Sequence, residues 1–425
     1  MRCVIFDLDG TLTQSHEGIL NSIAHAAETM GFALPPEAER MKFVGPPLDY
    51  SFRNYLGMTP EESMRAVALY RERYWSVGMF ENRVYPGIRN LLRMLKRRGD
   101  WVAVATGKPT EPSRKILEHF GLLRYFDRVV GPDENDHRAE KETLIRRALP
   151  ETWEEAVMVG DRCFDIEGGR KVGIRTVGVC YGYGTEAELR EADCDETAAT
   201  VDALINLLCP GEARPAGAFL SVEGLDGSGK STQIGLLADA LDRWGFEVVH
   251  SREPGGSPVG EKIRDILLDP QNRGMEPLTE ALLFAASRAQ HVREVIRPAV
   301  AAGKTLLCDR FVDSSVAYQG GGRGLGVQRV LEINREAVDG TWPLVTLYLD
   351  IPHREALKRR MAASDPDRME AEPEDFHRRV EEAYRAMIAA HPERFAVVDA
   401  TRSAEEVGKQ AAEQVLSRLM AAEEA

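Results

Sequence analysis

Short apolar runs recur along the chain, separated by longer stretches in which apolar positions return every three or four residues. One set of runs occupies residues 3–6, 101–105, 156–159 and 176–179; a second occupies 219–222, 247–250, 305–308, 345–349 and 395–398. Several are rich in Val and show no alternation with polar residues. That is the pattern of strands covered on both faces, and amphipathic helices between such strands make βαβ units. The expected fold class is therefore α/β, with two domains that each carry a parallel sheet. Residues ~15–80 break the rhythm. Stretches 18–30 and 61–75 have apolar residues at helical spacing and no strand-like run between them, so they predict a helical insertion after the first strand.

Between the two sets lies Cys209-Pro-Gly-Glu-Ala-Arg-Pro-Ala-Gly217. Its prolines and glycines end a helix predicted over 201–208 and continue no other element. The expected domains are 1–208 and 217–425, with 209–216 as linker. A chain of 425 residues is in any case too long for one core.

Apolar residues make up 43% and charged residues 29%, a globular composition, and the formal net charge is −14. That balance argues against nucleic acid or an anionic membrane as a partner. It leaves small anionic substrates open, because a phosphate site needs only local cations and oriented backbone N–H groups. The six cysteines form no C-x-x-C pair and read as reduced thiols. The N-terminus lacks the apolar run of a secretory signal, and no stretch reaches the ~18 apolar residues needed to span a bilayer. The expected location is the cytoplasm.

Chemistry enters where the first strand ends. Val4-Ile5-Phe6 runs into Asp7-Leu8-Asp9-Gly10-Thr11, placing two carboxylates at the carboxyl edge of a sheet, where open α/β folds bind ligands. An aspartate can attack phosphorus, and a second acid can protonate the leaving oxygen and later activate water. Adjacent carboxylates call for a cation, and Mg²⁺ prefers such oxygens. A second strand ends in Thr106-Gly107-Lys108, Lys141 opens a helix, and a third strand ends in Gly160-Asp161-Arg162-Cys-Phe-Asp165.

These four segments, in this order, resemble the haloacid dehalogenase superfamily of phosphatases over about residues 1–208. The resemblance implies a Rossmann-like fold with a helical cap at ~15–80, of the phosphoglycolate phosphatase-like branch. It implies Asp7 as nucleophile, Asp9 as general acid/base, and Thr106, Gly107 and Lys141 as phosphate holders. Asp7, Asp9, Asp161 and Asp165 are the expected surroundings of Mg²⁺. Arg40, Lys42 and Arg53 are candidate substrate contacts on the cap.

In the second half, residues 219–223 lead into Gly224-Leu225-Asp226-Gly227-Ser228-Gly229-Lys230-Ser231-Thr232 and then a helix. This is the G-x-x-x-x-G-K-S phosphate loop in its required strand–helix context. Its backbone N–H groups and helix dipole suit the phosphates of ATP, with Lys230 across the β- and γ-phosphates and Ser231 on Mg²⁺. A later strand closes on Arg252-Glu-Pro-Gly-Gly, whose arginine suits an acceptor phosphate. Phe284 and Arg288, at i and i+4, offer a stacking face beside a donor fork. Asp309-Arg310-Phe311 ends another strand, and Asp313-Ser-Ser315-Val-Ala-Tyr318-Gln319 follows.

This set is similar to thymidylate kinase over residues 216–422. The resemblance implies a P-loop nucleoside monophosphate kinase fold that moves a phosphoryl group from ATP to dTMP. Asp226 would lie near the acceptor sugar and phosphate, with Arg252 and Arg310 on that phosphate. Phe284 would stack on the base, with Arg288, Ser315 and Gln319 at its edge. Tyr318 would fill the space of a 2′-hydroxyl, and Asp309 would help place Mg²⁺. Two positions depart from the family pattern. Phe311 stands where Tyr is usual, and Trp342-Pro343-Leu344 stands where Pro-Asp is common.

The variable positions of the phosphate loop, Leu225 to Ser228, carry no base. A catalytic arginine is therefore expected from the arginine-rich lid at 354–370, which holds Arg354, Lys358, Arg359, Arg360 and Arg368. Arg359, Arg360 and Arg368 are the candidates, next to a turn expected at 362–366. The whole reads as a kinase fused to a Mg²⁺-dependent phosphatase, with a homodimer through the kinase half as a possible assembly. The alternatives are a silent regulatory first half, or a kinase for another deoxy-pyrimidine monophosphate.

Overall fold

The computed structural model of the protein describes residues 1–132, 139–362, 368–369 and 372–424. They form two compact units. One is Met1–Ala213 with Arg243–Gly245; the other is Arg214–Asp242 with Phe246–Ala425.

The first unit is built on six parallel strands: β1 (Arg2–Phe6), β2 (Trp101–Ala105), β3 (Arg128–Val130), β4 (Glu155–Gly160), β5 (Arg175–Val179) and β6 (Glu196–Ala198), in the order β3-β2-β1-β4-β5-β6. The unbroken apolar runs follow from burial on both faces. Val4, Phe6, Val102, Val104, Val157 and Val159 pack into one core layer, while Cys3, Ile5, Ala103, Ala105, Ala156 and Met158 pack into the opposite one. The strand order reverses between β1 and β4, and ligands bind at such a point, outside the carboxyl ends of the strands.

The insertion after β1 is helical. It comprises His16–Thr29, a 3₁₀ segment at Glu37–Phe43, Leu48–Leu56 and Pro60–Ser76. The last of these starts on a reciprocal cap between Thr59 and Glu62, with Pro60 in its first turn.

The second unit carries β7 (Phe219–Gly224), β8 (Val248–Arg252), β9 (Thr305–Asp309), β10 (Val345–Asp350) and β11 (Phe395–Asp399), all parallel, in the order β11-β10-β7-β9-β8. β7 lies at the centre and feeds the helix Lys230–Arg243. No helix among the described residues is long and apolar enough to cross a membrane, and all six cysteines are unpaired.

Candidate active sites

In the first unit, β1 carries Asp7 to the sheet edge, where its backbone N–H binds Val159 O at 2.9 Å. Gly10 turns the chain with φ +82°, and a Cβ there would stand 2.2 Å from Asp161 Oδ2. Only glycine lets the first loop lie this close to the tip of β4. Asp161 is fully buried and accepts from Thr11 Oγ1 at 3.3 Å and from Tyr183 N at 2.8 Å. Asp7, Asp161 and Asp165 bring one oxygen each within 4.8 Å of one another. Lys141, first residue of the helix Lys141–Ala148, reaches Asp7 Oδ1 at 2.6 Å and Asp165 Oδ1 at 2.5 Å.

Charge is crowded here. Burial pushes Asp7 up to about 8 against the pull of Lys141, with Asp165 and Asp161 adding to the rise. Burial and then Asp165 push Asp161 up to about 6. Three buried carboxylates around one lysine suit a divalent cation, which binds carboxylate oxygens and would offset their repulsion.

Asp9 stands apart from this trio. Its Oδ2 pairs with Lys108 at 3.1 Å, and its Oδ1 is buried without a partner among the described residues. Thr106 follows β2 directly, and its hydroxyl accepts from Lys108 N at 3.2 Å. A Cβ on Gly107 would meet nothing within 4 Å, so the chain there lies open. These groups line a cavity of about 810 Å³, closed on the insertion side by Phe43, Tyr70, Tyr74 and Trp75. Arg40, Lys42 and Arg53 do not line it: Arg40 donates to Pro35 O, Lys42 pairs with Glu39, and Arg53 pairs with Asp49. Cations that do line it include Arg71, Lys108, Lys115 and Lys171. Lys108 was legible only as the residue after Thr-Gly. Its bond to Tyr74 Oη, from the insertion, had no sequence signal.

In the second unit, Lys230 is the first helical residue after the glycine loop. Its Nζ donates to Gly224 O at 3.1 Å and Leu225 O at 2.9 Å, across the mouth of the loop. Burial, then Arg310, pushes the Lys230 ammonium down, so an incoming anion would meet a cation short of compensation. Gly227 and Gly229 have φ of +85° and +90°. A Cβ on Gly227 would fall 2.1 Å from Ala356 O, which ties the loop to the helix His353–Met361.

Asp226 reaches across to the ends of β9 and the helical turns after it. It accepts from Arg310 and from Tyr318 Oη, the latter at 2.8 Å. Burial opposes its ionisation, but Arg310 and Lys230, with the Tyr318 bond, hold the carboxylate well below the usual range. Arg310 occupies φ +70°, a left-handed backbone that turns it back over the loop. Ser231 and Asp309 line the same cavity of about 500 Å³, and Asp309 Oδ1 is buried without a partner among the described residues. A hydroxyl and an unsatisfied carboxylate beside a phosphate loop are donors of the type Mg²⁺ takes.

Across the cavity stand Arg252, Phe284, Arg288, Ser315, Tyr318 and Gln319. Arg252 is exposed and bound to Glu261 at 2.9 Å. Arg288 is buried, held by Glu253 at 2.7 Å, by Asn334, and by Ser315 Oγ at 3.1 Å. Phe311 is a core residue, edge-on to Phe219, with the Arg288 guanidinium over its ring. Thr232 and the remaining loop residues stand at the helix entry.

The lid candidates separate. Arg359 and Arg360 line the cavity. Arg359 also donates to Ala400 O and Glu355, at 2.9 and 2.7 Å. Arg354 lies outside on Glu374. Arg368 is buried on Leu267 O and Glu280, at 2.7 Å each, away from the cavity wall. The turn expected at 362–366 falls beyond Ala362 outside the described residues. Glu223 and Glu280 escaped the sequence reading, since each works through partners far along the chain. Glu223 accepts from Phe311 N, Ser314 Oγ and Tyr384 Oη, at 2.7, 2.6 and 2.8 Å.

Fold and site together define a chain of two phosphate-handling α/β enzymes, a phosphohydrolase with an aspartate at its sheet tip and a phosphate-loop phosphotransferase. The family model for thymidylate kinase matches residues 222–411, and that for haloacid dehalogenase-like hydrolases matches residues 4–179. The thymidylate kinase of Symbiobacterium thermophilum is 51% identical over 191 residues, covering 45% of this chain and 89% of that relative. The thymidylate kinase of Exiguobacterium sibiricum is 45% identical, covering 48% and 96%. Among solved structures, a predicted phosphatase from Clostridium acetobutylicum is 40% identical with a TM-score of 0.45, covering 49% of this chain and 97% of that one. A haloacid dehalogenase-like hydrolase from Streptococcus pneumoniae is 28% identical with a TM-score of 0.45, covering 48% and 97%. The chain belongs to the thymidylate kinase family through its second unit, and its first unit matches the haloacid dehalogenase-like hydrolase family.

Proposed function

We propose that the second unit transfers the γ-phosphoryl group of ATP to dTMP, giving ADP and dTDP, and that the first unit hydrolyses a phosphomonoester through an aspartyl-phosphate. The kinase reading rests on the single constellation in which Lys230, Asp226, Arg310 and Tyr318 meet the acceptor wall in one cavity.

In the kinase, the loop N–H groups and Lys230 receive the ATP phosphates, and Lys230 exchanges its loop carbonyls for phosphate oxygens. Arg252 and Arg310 hold the acceptor phosphate in line, while Phe284 stacks on the base. Arg359 or Arg360 spreads its guanidinium over the charge that develops on the moving phosphoryl group, an effect worth roughly 10³–10⁵ in rate.

In the phosphatase, Thr106, Gly107 and Lys141 orient the phosphoryl group over Asp7. Asp7 attacks phosphorus as Asp9 protonates the leaving oxygen. Asp9 then takes a proton from water, which attacks the phosphorus of the aspartyl-phosphate and frees Asp7. Mg²⁺, at Asp7, Asp161 and Asp165 in one unit and at Ser231 and Asp309 in the other, would offset charge between carboxylates and phosphoryl oxygens.

The test is an assay of the full chain with ATP, Mg²⁺ and each deoxynucleoside monophosphate. It should form dTDP with dTMP as the best acceptor by kcat/KM. A better acceptor than dTMP would refute the kinase assignment. For the first unit, Lys230→Ala protein should release inorganic phosphate from a panel of phosphomonoesters. Failure on every member would refute the phosphatase assignment.

A further inference from the structure

We propose that Glu280 is a positioning residue of the acceptor pocket: it fixes the Gln319 amide with its carbonyl oxygen free for the ligand, and so selects a base that presents an N–H there. The inference rests on the reading of this pocket as the dTMP site.

Glu280, Phe284 and Arg288 follow one another at i, i+4 and i+8 on the helix Pro277–His291, which places them on one face. Glu280 is fully buried. Its Oε1 accepts from Gln319 Nε2 at 2.9 Å and from Arg323 Nε at 3.2 Å; its Oε2 accepts from Arg323 at 3.1 Å and from Arg368 at 2.7 Å. A carboxylate between two guanidiniums only accepts. Gln319 can therefore meet it only through the amide NH₂ group, since a flipped amide would set two oxygens against each other.

The consequence falls on the other end of the amide. Gln319 is buried, lines the cavity, and its Oε1 has no hydrogen-bond partner among the described residues. A buried carbonyl left unpaired is costly, and a ligand N–H would satisfy it. Thymine and uracil carry N3–H; cytosine carries a lone pair at N3 and would face oxygen with nitrogen. An unpaired polar group in a buried site is a strong source of discrimination. Arg323 and Arg368 are part of the same device, because they hold the carboxylate that holds the amide.

The test compares kcat/KM for dTMP and dCMP in the full-length protein. Glutamine at position 280 donates as well as accepts, so in Glu280→Gln the Gln319 amide is free to adopt either orientation. The dTMP/dCMP ratio should fall about tenfold or more, as expected for one buried hydrogen bond. Gln319→Met, which removes the amide and leaves the carboxylate on its arginines, should lower the ratio similarly. Glu280→Gln added to Gln319→Met should not lower it further. A merely structural Glu280 would depress both substrates alike, and an unchanged ratio in Glu280→Gln would overturn the proposal. Should that variant not fold, an unchanged ratio in Gln319→Met would overturn it as well. If the wild-type protein does not phosphorylate dTMP, the acceptor reading itself fails, and the inference with it.

Discussion

At the scale of single residues, position on a strand tip decided what was legible. Asp7, Thr106 and Asp161 follow β1, β2 and β4 directly, and Lys230 follows a glycine loop, so strand ends and motif spacing located them. Glu223 and Glu280 were not legible, and Lys108 only as the residue after Thr106-Gly107, because their partners come from elements remote in sequence. All three lid arginines were candidates in sequence, with Arg359 and Arg360 preferred for lying just before the expected turn; those two line the cavity, and Arg368 is buried on Leu267 O and Glu280. Arg359→Ala or Arg360→Ala should lower kinase kcat by about a hundredfold or more, with little change in KM for dTMP, the mark of an interaction made in the transition state. Retention of most of kcat in both variants would rule out a lid arginine. Arg368→Ala should act differently, lowering the melting temperature, because it strips a buried partner from Glu280.

The carboxylate cluster gives a second residue-scale expectation. Asp161 rises from 3.8 to about 6 on folding, so its ionisation costs stability as pH climbs through that range. A divalent cation requires the ionised form and offsets that cost. The gain in melting temperature from Mg²⁺ should therefore be larger at about pH 7.5 than at about pH 5, and should shrink in Asp161→Asn. An equal gain at both pH values, unaltered by the substitution, would place Mg²⁺ elsewhere.

At the scale of elements, the long buried strands and the helices Val201–Leu208 and Pro277–His291 were readable from period alone. Strands β3 and β6 were not, since three residues cannot establish an alternation and both lie at sheet edges. The insertion helix Leu48–Leu56 was also missed; it is short and bounded by Pro47 and Gly57, so its period is cut off early. Packing between elements yields its own tests. The glycine loop rests on the carbonyl of Ala356, so Gly227→Ala should abolish kinase turnover by forcing the loop away, with phosphatase turnover unchanged. Turnover near wild type would show that the loop tolerates the shift. Arg394 clamps Asp313, which is 2% exposed, beside Thr346 on β10. Arg394→Ala should cost about 3–5 kcal/mol in chemical denaturation, because it leaves a buried charge unpaired.

At the scale of the whole molecule, the chain carries two parallel sheets, and among the described residues each unit has its own set of candidate catalytic groups. The central claim is that each unit performs its own phosphoryl chemistry. One pair of full-length variants tests it most directly, assayed for both Mg²⁺-dependent release of inorganic phosphate and ATP-dependent formation of dTDP. Asp7→Asn should lose phosphate release and keep dTDP formation, and Lys230→Ala should do the reverse. Loss of dTDP formation in folded Asp7→Asn protein would contradict the account.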